Sequence, residues 1–301
     1  MEQKQLGVFY AAFAYFLWGI LPLYWKLLHH VRAEEILAHR MIWSFLFMLI
    51  LLGIQKQWQT FFALLRQAFI QPKQMFIIFV ASVLISANWF IYIWAVNHDH
   101  MIEASLGYYI NPLLSVLLGV IVLKEKLNRW QVLSFFLALV GVLIMTVQHG
   151  KFPWIALSLA FSFAVYGLVK KLTNFDSSIG LTMETMIIAP ISVLYVVYLH
   201  LKGMNTFSPS SLHSMLLLIG AGPATALPLL YFAKGAKQIS LTLLGFLQYI
   251  APSLSLILGV FLFHEPFTNT HVYSFSFIWS ALLIFSFSKM LPERKEKSLR
   301  V

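Results

Sequence analysis

A seventeen-residue stretch occurs twice, and it constrains this chain more than any other feature. Residues 109–125 read YINPLLSVLLGVIVLKE, and 140 positions later residues 249–265 read YIAPSLSLILGVFLFHE. Nine of the seventeen positions are identical, among them Tyr109/Tyr249, Pro112/Pro252, Ser115/Ser255, Gly119/Gly259 and Glu125/Glu265. Two copies of one unit are therefore expected. In each copy a proline stands inside an apolar helical run, where it removes a backbone donor and crowds the carbonyl four residues back, that of Tyr108 or Gln248. Both copies are expected to be interrupted helices. Asn111, Ser115 and Gly119 in one copy, and Ala251, Ser255 and Gly259 in the other, share a face that lets helices approach closely in lipid.

Apolar runs of about 18 to 22 residues recur along the chain, each long enough to cross a bilayer as a helix. They fall near residues 7–25, 36–54, 75–96, 102–123, 130–147, 154–169, 179–199, 215–233, 239–263 and 272–290. With 60% apolar and 11% charged residues, the 301-residue chain lies outside the range of soluble domains. Residues 55–74 break the pattern. Trp58, Phe61, Phe62, Leu65 and Phe69 share one helical face, Lys56 and Arg66 lie elsewhere, and Pro72 stops the run, which suits a surface-lying amphipathic segment. The fold class expected is an all-α membrane protein of ten transmembrane helices. Residues 1–148 form a first five-helix repeat, 149–290 a second, and 291–301 a basic tail.

The net charge of +10 sits in short loops between apolar runs and not on one basic face, which argues against nucleic acid. With the N-terminus inside, sixteen of the 21 Lys and Arg face inward, Lys170 and Lys171 counted among them in a loop. The positive-inside rule then places both termini in the cytoplasm. Because each repeat has an odd number of spans, the second is inverted relative to the first. Glu125 is expected at the cytoplasmic face and Glu265 at the outer face, a pair suited to alternating gate contacts. The chain has no cysteine, which excludes disulfides, thiolate metal sites and cysteine nucleophiles.

Inverted repeats give a central site one gate on each side, the usual construction of a secondary transporter. Arg40 and Glu184 are the most expensive residues in the chain, since a charge within a span normally faces a cavity or a partner. They occupy matching places in the two repeats but differ by about 10 to 15 Å in depth at 1.5 Å per residue, so no direct ion pair is expected. Arg40 is read as attracting an anionic group, and Glu184 as pairing a cationic group or carrying a coupling proton. The structural reading bonds each to neighbouring helix ends. Asn88, Asn111 and Gln248 can orient a polar ligand or bond helix to helix. Trp89, Tyr92, Trp94, Tyr108, Tyr109 and Tyr249 offer apolar area with polar tips, suited to a ligand cavity or to the aromatic belt. His98, Asp99 and His100 form a lone loop cluster without the further ligands a metal needs, so no metal or other cofactor is expected.

Several longer stretches carry a resemblance. HRMIWSF at 39–45, SANWFIYIWAVNHDHMIEASLGYYINPLL at 86–114, LAFSFAVYGLVKK at 159–171, GLTMETM at 180–186 and LTLLGFLQYIAPSL at 241–254 resemble the RarD branch of the EamA group, within the drug/metabolite transporter superfamily. The resemblance covers almost the whole chain. It implies ten helices, a bacterial inner-membrane location and movement of a small metabolite or drug; no binding residues carry over with it. Asn205 to His213 and Ala251, where glycine is expected, depart from the pattern.

The alternatives are a membrane-embedded enzyme acting on lipid, or a channel. The chain holds no HExxH and no GxSxG, so no enzymatic activity is expected, and nothing resembles a filter loop or ring of charges. It also lacks a GxxxxGK[ST] phosphate loop. Movement is therefore expected to follow gradients, with the bilayer and a small-molecule substrate as partners and proton coupling as one route.

Overall fold

A computed structural model describes residues 2–98, 100–150, 152–208, 211–262 and 268–290. Glu265, Asp99 and the tail at 291–301 lie outside the described residues. The described residues form helices α1 (Glu2–Leu27), α2 (Ala33–Ile54), α3 (Trp58–Ile70), α4 (Pro72–Asn97), α5 (Met101–Ile121), α6 (Arg129–His149), α7 (Trp154–Leu172), α8 (Ser177–Leu201), α9 (Leu212–Gln238), α10 (Leu241–Gln248), α11 (Ile250–Leu262) and α12 (Asn269–Met290). Among the described residues ten spans are long and apolar enough to cross a membrane, with α10 and α11 together making one. The chain is a multi-pass membrane protein.

Helix ends follow local chemistry. Asn128 and Gln131 form a reciprocal capping box at the start of α6, and Gly150 ends that helix with φ of 72°, a conformation that disfavours a side chain. Pro72 opens α4 at its first turn, where a missing N–H costs nothing, so that span starts before residue 75. The amphipathic α3 buries Phe61 and Ala68 while Trp58, Phe62, Phe69 and Ile70 stay exposed, as suits a helix lying against lipid.

The two proline copies differ. Contrary to expectation, α5 runs unbroken through Pro112, because a single missing N–H can be absorbed by a helix packed on several sides. In the second copy the chain does break, between α10 and α11. There the Tyr249 N–H bonds to Phe246 O, three residues back, and regular pairing resumes when Ser253 N–H donates to Tyr249 O.

Contacts between helices are interleaved across the two halves. α1 packs on α9 as α7 packs on α4; α2 packs on α9 as α8 packs on α4; α5 packs on α7 as α10 and α11 pack on α1. α2 meets α8, and α6 meets α12. Small residues make these contacts close. A Cβ at Gly119 would lie 3.1 Å from Thr242 Oγ1, and one at Gly245 would lie 2.8 Å from Pro112 O and 3.0 Å from Ser115. Tyr249 Oη donates to Tyr109 O at 3.3 Å. Going up α10 thus means going down α5, so the two copies lie antiparallel. An aromatic knot of Tyr15, Trp18, Phe163, Tyr166 and Phe232 fills the centre.

Candidate functional site

Arg40 lies two turns into α2, and the packing of that helix decides its surroundings. Gly222 of α9 sits so close to the Trp43 backbone that a side chain there would overlap it, and Ser44 Oγ donates to Gly222 O at 3.0 Å. This backbone contact brings Thr225, one turn further along α9, to Arg40, whose Nε donates to Thr225 Oγ1 at 2.9 Å. The guanidinium carbon lies 4.6 Å from the centre of Trp25 and 4.8 Å from that of Trp89. Each such contact contributes about 0.5 to 2 kcal/mol. Tyr92 and Tyr108 stand within electrostatic reach of Arg40, with their rings edge-on at 5.9 Å.

Two observations set this group apart. Among the described residues Arg40 has no carboxylate at ion-pair distance, and Thr225 is its sole hydrogen-bond partner, so the outer edge of the guanidinium is unpaired. Tyr108 is 46% exposed although α5 is the span with the largest buried share. An unpaired cation beside an accessible tyrosine, on otherwise packed helices, makes this group the candidate site.

Of the residues singled out in the sequence, Arg40, Trp89, Tyr92 and Tyr108 meet here, joined by Trp25 and Thr225. Asn88 is turned away, donating to Leu159 O at 2.8 Å and Ser162 Oγ at 2.9 Å, which fastens α4 to α7. Tyr109 packs edge-on against Phe275 at 5.3 Å, and Tyr249 is spent on the Tyr109 carbonyl. Asn111 accepts a long bond from Ser115 at 3.5 Å. Gln248 is buried and has no hydrogen-bond partner among the described residues; the register of α10 on α5 sets it level with Asn111 and Tyr108. Trp94 stacks on His98 at 4.5 Å, away from this group, at the helix end. Among the described residues no cluster of three or more His, Asp or Glu could hold a metal.

Glu184 lies in a separate layer, and Arg40 and Glu184 form no ion pair. Lys170 Nζ donates to Glu184 Oε1 at 2.7 Å and Tyr166 Oη donates to Oε2 at 3.1 Å, with Lys170 2% and Glu184 3% exposed. This corrects the placement of Lys170 in a loop. Helix α7 continues to Leu172, carrying Lys170 inward against α8, because the Glu184 charge needs a partner once buried. Lys171, its neighbour, points the other way and donates to Ile239 O at 2.5 Å.

Glu125 follows the end of α5 and meets the start of α10. Its Oε1 accepts from Leu241 N–H at 2.6 Å and its Oε2 from Thr242 N–H at 2.8 Å. The carboxylate therefore caps α10, where free N–H groups and the helix dipole favour an anion. Lys171 holds the last carbonyls of α9 beside it. End to end, these bonds tie the exit of α5 to the entrance of α10.

The EamA-like transporter family matches the chain twice, over residues 5–147 and 152–287. The chain is 50% identical to the "Uncharacterized transporter YojE" of Bacillus subtilis, over 98% of both chains. It is 42% identical to "Protein RarD" of Escherichia coli, again over 98% of both. A "Chloramphenicol-sensitive protein RarD" of Pseudomonas aeruginosa matches at 26% identity over 96% of each chain. A crystal structure of another protein superposes with a TM-score of 0.69 at 18% identity, covering 95% of this chain and 99% of that one, and so shares its fold.

Proposed function

The chain belongs to the EamA-like transporter family, and from that premise we propose that it is a secondary transporter moving a small metabolite or drug across a bacterial inner membrane by alternating access. The unpaired Arg40, set in an aromatic group within the spans, carries this reading. The two halves act as inverted repeats, and the antiparallel lie of α5 and α10, with the exchange of helix contacts between halves, supports that. Both termini are cytoplasmic by the distribution of Lys and Arg, which puts Glu125 on the cytoplasmic side and Arg40 in the outer half. Net movement follows gradients, with Lys170 and Glu184 as the buried ion pair inside the spans.

In this scheme Glu125 closes the cytoplasmic gate by capping α10. The repeat offset of 140 residues gives its counterpart: Glu265 matches Glu125, and Met101 and Ile102 match Leu241 and Thr242. Glu265 is therefore proposed as the counterpart at the outer gate. The absence of cysteine makes a direct test simple. Ser115, 5% exposed and packed on Gly245, is replaced by Cys, and its modification by a membrane-impermeant maleimide is followed from the cytoplasmic side. Losing a cap costs about 1 to 2 kcal/mol, so Glu125→Ala is expected to speed labelling by about 5- to 30-fold. An unchanged rate removes Glu125 from the gate.

A further inference from the structure

We infer that the ligand recognised at Arg40 is a single negative charge, of carboxylate type, on an aromatic or apolar body, and that no ammonium group is recognised with it. This rests on the transporter reading above. Every acid described with its side chain is committed elsewhere. Glu34 lies 3.8 Å from Arg32, and Glu103 lies 3.3 Å from His100. Glu35 accepts the N–H groups of Thr206 and Phe207 through Oε1, while its Oε2 is buried without a hydrogen bond among the described residues. Glu125 caps α10, Asp176 caps α8, and Glu184 holds Lys170. Among the described residues, a zwitterionic amino acid arriving with its carboxylate on Arg40 thus finds no carboxylate waiting for its ammonium.

Aromatic rings can substitute for a carboxylate in holding an ammonium, but the two indoles are taken and Tyr92 and Tyr108 stand within electrostatic reach of the guanidinium. Trp25 and Trp89 already face the guanidinium, and a second cation beside them meets a like charge. The count of positive charges sets the ligand's charge in turn. Lys170 is neutralised by Glu184 in a separate layer, and Arg40 is the one cation among the described residues of this group, so it balances one negative charge and not two. Shape agrees: Thr225 holds Nε, so the terminal N–H groups present a flat, forked edge that matches a carboxylate. Beyond that edge Tyr108 and Tyr92 offer ring area to a flat body.

Four compounds built on the same phenylethyl body separate the charges: 3-phenylpropionate, its amide, phenylalanine and 2-phenylethylamine. Thermal unfolding of the full chain in detergent is measured with each, since a compound that binds the folded state raises the midpoint. The expected result is a rise with 3-phenylpropionate, at concentrations at least about tenfold lower than any of the other three requires. Arg40→Gln is expected to abolish that rise, and Arg40→Lys to keep part of it. Should Arg40→Gln give no folded protein, Thr225→Val takes its place, with about a tenfold weaker response expected from the loss of the bond that aims the guanidinium. If phenylalanine or the amine stabilises as well as 3-phenylpropionate, and Arg40→Gln removes the effect, the ligand class is wrong while the site stands. If 3-phenylpropionate acts equally on Arg40→Gln, the site reading itself fails. No rise with any of the four overturns the ligand class.

Discussion

Arg40→Gln is expected to lower the initial rate of transport by about 10- to 150-fold without lowering the thermal midpoint of the protein. The size follows from hydrogen bonds to a charged partner, which contribute about 1.5 to 3 kcal/mol. The direction of the stability change follows from the desolvation of an unpaired guanidinium among helices, which opposes folding in the empty protein and is offset only when an anion arrives. A purely structural Arg40 behaves in the opposite way: its replacement leaves Thr225 and two indole rings without their partner, and the midpoint falls. Initial rates in reconstituted vesicles and unfolding curves in detergent, taken on the same preparation, separate the two.

Glu184→Ala carries the largest expected effect on stability. It leaves the Lys170 ammonium, 2% exposed, without its carboxylate, and breaking one side of a buried pair costs about 3 to 5 kcal/mol. Tyr166 loses an acceptor at the same time. The double replacement Lys170→Met with Glu184→Leu removes both charges and is expected to recover most of that loss, because buried pairs can often be exchanged for apolar residues at little cost. The double variant also reads out coupling. With both charges gone, transport that responded to a proton gradient is expected to lose that response while the fold is kept. A double variant as unstable as Glu184→Ala would show that the pair is needed for packing, and a retained proton response would move coupling elsewhere.

Much of this architecture could be read from the chain before any coordinates. The ten spans follow from length and apolarity, and the antiparallel contact of the two copies agrees with an odd number of spans per unit. Arg40 stood out because a cation inside an apolar run has few reasons to be there. What surrounds it was only half legible. Trp89, Tyr92 and Tyr108 were in view, yet so were Trp94, Tyr109 and Tyr249, and a span that is apolar all round gives no stripe to say which face turns inward. Trp25 and Thr225 were not singled out, because an aromatic at the end of a span and a hydroxyl within one carry no mark of their own in a sequence. The lysine pair misled for a related reason. Lys170 and Lys171 read as one basic loop, but neighbours on a helix point about 100° apart, and one turned into the protein to meet Glu184. The prolines teach the same lesson at the backbone. Pro112 and Pro252 stand in matching sequences, and only the second accompanies a break, because neighbouring helices and not the proline alone decide whether a helix carries on.

Counterflow in sealed vesicles tests the central reading most directly. Vesicles holding the purified protein are loaded with unlabelled 3-phenylpropionate, or with whichever compound raised the unfolding midpoint, and diluted into a trace of the labelled form. A carrier that exposes one site to each side in turn is expected to draw label inward against its own gradient, saturably, with Arg40→Gln vesicles failing to do so. Label that only equilibrates, at a rate proportional to concentration and indifferent to the internal load, would mean a channel and would contradict alternating access.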